Sequence, residues 1–166
     1  MNLPGLLAVT SWSDFKVQQP DLARQGADLL YHFGVGLAFL GTVRPDGGPR
    51  LHPMCPLISV EGLYAFIIPS PKLRDLHRDG RYAMHSYPLE DNEDAFYLSG
   101  AASHVTDSAA RVLLARQFAD ERSDQAVPTP GEEQHLFKFD VQMAMLTRTT
   151  GHGDLSPQHT IWRGGR

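Results

Sequence analysis

The sequence predicts a mainly β, α+β fold, built as a predominantly antiparallel barrel with helices at its periphery. Two observations carry this. At least five segments have strand chemistry, and they are joined by turns and irregular loops rather than by regular crossover helices, which argues against a doubly wound parallel sheet. In the clearest strand, residues 136–147, Phe137, Phe139, Val141, Met143 and Met145 alternate with Lys138, Asp140, Gln142 and Ala144, so one face is expected in the core. Neither GxGxxG nor a Walker motif occurs.

Taken in order, residues 1–19 form an arm, extended or loosely helical, anchored by Trp12 and Phe15. Pro20 suits a first helical turn, and Leu22, Gly26, Leu29, Leu30 and Phe33 recur at helical spacing up to Gly34. Residues 37–44 read as a strand, and Pro45-Asp46-Gly47-Gly48 as a turn. Residues 50–60 are the return strand. Pro53 and Pro56 cannot donate ladder hydrogen bonds, so this strand must lie at an edge or be broken by a bulge. Residues 63–68 make the next strand. Ser70-Pro71-Lys72 then opens a short helix, with Ser70 as N-cap and Pro71 in the first turn.

Residues 82–87 are a strand, and 88–94 a solvated acidic loop. Residues 95–105 form a long strand in which Gly100 marks a bulge or barrel corner. Asp107 caps a helix over 108–121 whose core face is expected at Val112, Leu113, Ala115 and Phe118. A loop follows, with a short helical turn after Pro130. After the 136–147 strand comes a Gly- and His-rich tail, 149–166, with a final short strand over 160–163.

The 166 residues suit one domain, 1–166, with a substantial core. A formal net charge of −4 without a basic block argues against a nucleic-acid partner. The single cysteine, Cys55, cannot form an intramolecular disulfide. With no signal-peptide pattern and no apolar run long enough to span a membrane, the expected location is cytoplasmic.

The chemistry concentrates in FLGTVRPDGGPRLHP, GLYAFI and SPKLRDLHRDGR. A helix N-terminus offers N–H groups and a positive dipole end; Lys72 adds a charge there, and Arg50 on the return strand adds a second. Taken alone, Ser70 and Lys72 describe a capped surface helix with an exposed lysine. The order and spacing of these segments, continued in AFYLSGAASHVTD and TIWRG, resemble the pyridoxamine 5'-phosphate oxidase-like flavoproteins. The resemblance implies a six-stranded antiparallel split β-barrel with peripheral helices. It implies an FMN phosphate held by Ser70, Lys72 and Arg50, with His52 and Pro53 near the flavin ring and Phe66 and Ile67 where the next strand passes the cofactor. It also implies that Trp162 and Arg163 close over the flavin. Taken alone, His52 is an edge-strand histidine, Phe66 and Ile67 are core residues, and Trp162 packs on the barrel.

The same resemblance implies a homodimer with two cofactor sites at the subunit interface, acting as a flavin-dependent oxidoreductase on a small molecule. Pyridoxine phosphate is not the expected substrate, because the tail lacks the Arg-rich substrate-phosphate element of the longer oxidases. The deazaflavin F420 in place of FMN is an alternative on the same fold. A carrier or sensor that binds flavin or haem without turnover is another, and an empty dimerisation module a third. Hydride transfer on a flavin requires no acid–base dyad from the protein, and no catalytic residue is assigned. The eight histidines show no HxH, HxxxH or HExxH spacing, so no metal site is expected. Cys55 is not at a helix N-terminus and reads as an inert thiol, and GxSxG is absent.

Overall fold

The computed structural model describes residues 8–165. Among these, eight strands form one antiparallel sheet that curls into a half-barrel, with four α-helices around it. Helix α1 (Trp12–Gln18) is regular where the arm reads as loose. The Ser11 hydroxyl accepts from the Asp14 N–H at 3.0 Å and caps it, and Trp12 and Phe15 are buried anchors. Helix α2 (Pro20–Leu30) starts at Pro20 but stops before Phe33. The Tyr31 hydroxyl accepts from the Ile58 N–H at 2.8 Å, and the Leu37 N–H donates to the Leu30 carbonyl, so the chain turns early. Phe33 instead meets the Tyr87 ring on the outside.

Strands β1 (Ala38–Val43) and β2 (Pro49–Met54) form the expected hairpin, with Gly47 at φ +83° in its turn. The return strand does not run on to residue 60. It breaks at Cys55-Pro56, and β3 (Leu57–Ile58) pairs elsewhere, with β4 (Leu63–Ile67). With β5 (Arg81–Ser86), β6 (Ala95–His104) and β7 (His135–Arg148), the sheet order is β2-β1-β5-β6-β7-β4-β3. The two halves of one predicted strand thus lie at opposite edges. Only three Cα steps separate Met54 from Leu57, so those edges are at most about 11 Å apart there, and the sheet must curl. With this split and with β8 (Gln158–Arg163), the final strand expected over 160–163, paired on β7, the sheet has eight strands rather than the six that the resemblance implies.

Gly100 sits at the expected bulge. Ser99 pairs with Met143 and Gly100 with Val141, so Gln142 is the extra residue on β7. The bulge inverts the inside–outside alternation beyond it. Phe137, Phe139 and Val141 are buried as expected, but then Ala144 and Leu146 face the core, and Met143 and Met145 do not. A Cβ on Gly100 would lie 1.9 Å from the Asp140 carbonyl oxygen. Gly100→Ala is therefore expected to cost about 1–3 kcal/mol, read as a lower urea midpoint with an unchanged m-value.

Helix α3 (Pro71–Arg78) follows β4, and α4 (Ser108–Asp120) follows β6. Asp107 caps α4 through bonds to the Ala109 and Ala110 N–H groups. Its buried face is Leu114 and Ala115, with Phe118 beside them, while Val112 and Leu113 point out. The helix has two apolar stripes, and contact with Phe66 on β4 selects the one carrying Phe118. The short helical turn lies at Ser123–Gln125, before rather than after Pro130. In the acidic loop, Asp94 is not a solvated residue: it accepts from Arg148 at 2.6 Å and from the Thr149 N–H at 2.7 Å, pinning the loop to the end of β7. The main core, including Phe15, Leu40, Phe96, Leu98, Phe137 and Phe139, fills the barrel, and a smaller cluster of Leu57, Tyr64, Leu114 and Leu136 seals α4 to its outside.

Candidate functional site

Residues i and i+2 of a strand share a face, so Arg50, His52 and Met54 of β2 point one way. Helix α3 lies against that face. The Arg50 Nε donates to Asp75 Oδ2 at 2.7 Å, and Lys72 Nζ donates to the Pro53 carbonyl at 3.4 Å. Ser70 caps the helix: its hydroxyl accepts from the Leu73 N–H and donates to the Ile68 carbonyl at 2.8 Å. The Arg74 N–H reaches the Ser70 carbonyl, and Pro71 has no N–H. Within the first turn this leaves the Lys72 N–H as the donor that the helix does not use for itself.

Asp75 organises the cradle from beneath. Its carboxylate is buried and accepts from Thr42 Oγ1 at 2.9 Å, from Arg50, and from both Arg78 terminal nitrogens at 3.2 Å. Burial by itself raises its pKa, but the hydrogen bonds from Arg50, Thr42 and Arg78 together outweigh this and hold it below the usual carboxylate range. Arg78 also donates to the Val43 carbonyl. Two guanidinium groups, Arg50 and Arg78, thus meet one carboxylate, and with Lys72 beside them the cradle carries an excess of positive charge.

Lys72 is half-buried rather than exposed, and burial lowers its pKa. His52 lies between the two cations. Burial lowers its pKa first, and the Lys72 and Arg50 charges lower it further, so its ring is neutral near pH 7. Its Nε2 is buried and has no hydrogen-bond partner within the chain. A buried polar nitrogen without a partner costs about 1–3 kcal/mol, and the Lys72 and Arg50 charges act on the same ring.

Arg50, His52, Pro53, Ser70 and Lys72 therefore converge. The other predicted residues lie elsewhere in the chain. On β4, the Ile67 side chain is in the barrel core, while Phe66 faces outward, with its ring 5.9 Å from Phe118 and under the Arg111 guanidinium. Trp162, on β8, packs against Phe15 of α1 with ring centroids 4.9 Å apart, and Arg163 is exposed opposite Met143. Asp75 and Arg78 are the residues that sequence reasoning missed. The signal for them was available: Asp75 is an acidic residue on the core-facing side of α3, between Leu73 and Leu76, and it needed a buried partner.

The histidines differ from their reading as isolated residues. His77 near the end of α3, His104 at the end of β6 and His135 at the start of β7 come together, each ring centroid 5.0 Å from the other two. His77 Nε2 and His135 Nδ1 are 2.9 Å apart. Sequence spacing misses this cluster because its members come from three different elements.

No family model and no curated protein matches the sequence. Solved structures do. A protein from Clostridium acetobutylicum, related to general stress protein 26 of B. subtilis and described as of the pyridoxinephosphate oxidase family, aligns over 91% of this chain and 95% of its own, with 13% identity and a TM-score of 0.56. HutZ, the haem storage protein of Vibrio cholerae, aligns over 86% and 94% with 14% identity and a TM-score of 0.57. A haem-binding protein from Mycobacterium smegmatis aligns over 81% and 56%, with 13% identity and a TM-score of 0.61. No helix among the described residues is long and apolar enough to cross a membrane. At these identities the likeness concerns architecture alone: the chain has the split β-barrel fold of the pyridoxamine 5'-phosphate oxidase-like proteins.

Proposed function

We propose that this protein binds FMN at the cradle between β2 and α3 and acts as a flavin-dependent oxidoreductase on a small molecule. The observation that carries the reading is the buried, unpartnered His52 Nε2 beside half-buried Lys72, at the mouth of a capped helix N-terminus. These residues fit a phosphate-terminated cofactor. Lys72 supplies a point charge and Arg50 a guanidinium edge, while Asp75 orients Arg50 and α3 contributes the Lys72 N–H and its dipole. The excess positive charge balances a phosphate dianion, and α3 is the part of the cradle that the sequence pattern also singles out.

His52 and Pro53 lie along the same strand and would form one wall for the ring system. Because β2 is an edge strand, its outer backbone groups are not used by a second strand. Phe66, Trp162 and Arg163 belong to this reading only through a homodimer, in which a second copy brings its own β4 and β8 to the cradle; Ile67, with its side chain in the core, would contribute backbone alone. Bound FMN would supply hydride or electron transfer, and the chain's residues would bind its phosphate, orient the ring and limit water at one face.

The test is an absorbance and fluorescence titration of the purified protein with FMN, F420 and haem in parallel. The expected result is a saturable flavin shift at one equivalent per chain, followed by bleaching with a nicotinamide nucleotide. Saturation by F420 alone would keep the cradle and change the cofactor. A Soret shift with no flavin response would favour a haem-binding role without turnover; HutZ is a haem storage protein. No response to any of the three would overturn the reading.

A further inference from the structure

We propose that His77, His104 and His135 form a binding site for a borderline divalent metal ion of the zinc class, with its fourth position open to solvent. The ligand atoms of the three rings all lie within 4.8 Å of one another, and no acidic residue among those described shares the cluster. An ion with nitrogen ligands at about 2.0–2.1 Å in tetrahedral geometry requires N···N separations of about 3.3 Å. The observed spacing, from 2.9 Å for His77 Nε2–His135 Nδ1 to 4.8 Å at the outside, brackets that value. Rotamer adjustments on exposed His77 and His104 and on half-buried His135 close the difference, with no change in the backbone.

The fold builds the cluster from rigid parts. His104 and His135 end two adjacent strands, where the Val105 N–H donates to the Leu136 carbonyl at 2.8 Å, and their rings stack at 23°. His77 meets both rings edge-on at 81° from the penultimate position of α3. Among the described residues, one hydrogen bond joins the three rings, and other imidazole nitrogens of the cluster have no donor from the chain. Imidazole nitrogens without thiolate or carboxylate select zinc, cobalt, nickel or copper over magnesium and calcium.

The open side faces a groove of about 420 Å³ lined by Thr106, Arg111 and Glu132 as well as by His104 and His135. Arg111 donates to the Gln134 carbonyl at 2.7 Å and to the Gly131 carbonyl, which ties the segment carrying His135 to α4. Its charge favours a water-derived or small anionic fourth ligand. The ion would clamp the end of α3 to β6 and β7. None of its ligands is among the cradle's phosphate-binding residues, although His77 shares α3 with them.

The test uses the tag-free full chain, stripped with a chelator and titrated with Co²⁺ and then Zn²⁺. The expected result is one Co²⁺ per chain with the visible absorption of four-coordinate cobalt, displaced stoichiometrically by Zn²⁺. The His104→Gln/His135→Gln variant and, separately, His77→Gln should lose more than the roughly 10–100-fold that loss of a mere supporting partner costs. The His152→Gln/His159→Gln control should bind as the parent does. Zinc should raise the thermal midpoint of the parent and not that of His77→Gln, a comparison that holds even if either variant is less stable. Absence of stoichiometric cobalt, or binding that survives either triad variant, would overturn the site and leave the triad as a stacked surface cluster.

Discussion

Replacing Lys72 and Arg50 together by alanine is expected to weaken FMN binding by about a hundredfold or more. Each supplies a charge-assisted contact worth about 1.5–3 kcal/mol, and two such losses correspond to at least 3 kcal/mol. The two residues differ in what else they do. Lys72 makes one long contact, to the Pro53 carbonyl at 3.4 Å, so Lys72→Ala should change affinity and leave the thermal midpoint nearly unaltered. Arg50 also holds the buried Asp75, so Arg50→Ala should lower both. Fluorescence titration with FMN, alongside thermal unfolding without it, separates the effects. Unchanged affinity in the double variant would place the phosphate elsewhere.

Asp75→Ala is expected to be the most destabilising single change in the cradle, at about 3–5 kcal/mol, because it leaves two guanidinium groups and the Thr42 hydroxyl without their shared acceptor. For a domain of this size that corresponds to a fall in Tm of roughly 6–20 °C. The cost should depend on pH in a defined direction. The Asp75 carboxyl has a lowered pKa in the folded state, so its stabilisation is fully present above the unfolded value of about 3.9 and is lost as pH falls through the lower folded value. The parent and Asp75→Ala should therefore differ most in urea midpoint near neutral pH and converge in acid. An equal gap at pH 7 and at about pH 3 would show that packing, not the ion pair, accounts for the loss.

Much of the fold is legible in local sequence. The helix starts at Pro20, Pro71 and Ser108, the Ser70 and Asp107 caps, the turn at Gly47 and the bulge at Gly100 all follow from residue chemistry acting over four residues or fewer. The two prolines of the return strand likewise announce an edge or a break, and the chain has both. The pairing of Arg50, His52 and Lys72 was visible through the order of segments that resemble a known architecture, not through spacing.

What the sequence by itself determined is the approximate position of most strands, the helix caps and the cationic side chains that open α3. The tertiary structure alone decided which buried acid organises them, how the alternation of β7 inverts beyond Gln142, and that His77 and His135, 58 residues apart, share a hydrogen bond. The physical reason is the range of the information. A cap or a turn is a contact between near neighbours, so its chemistry can be read along the chain. Strand register and helix placement are set by the summed burial of the whole core, and side chains distant in sequence meet only once that core has closed.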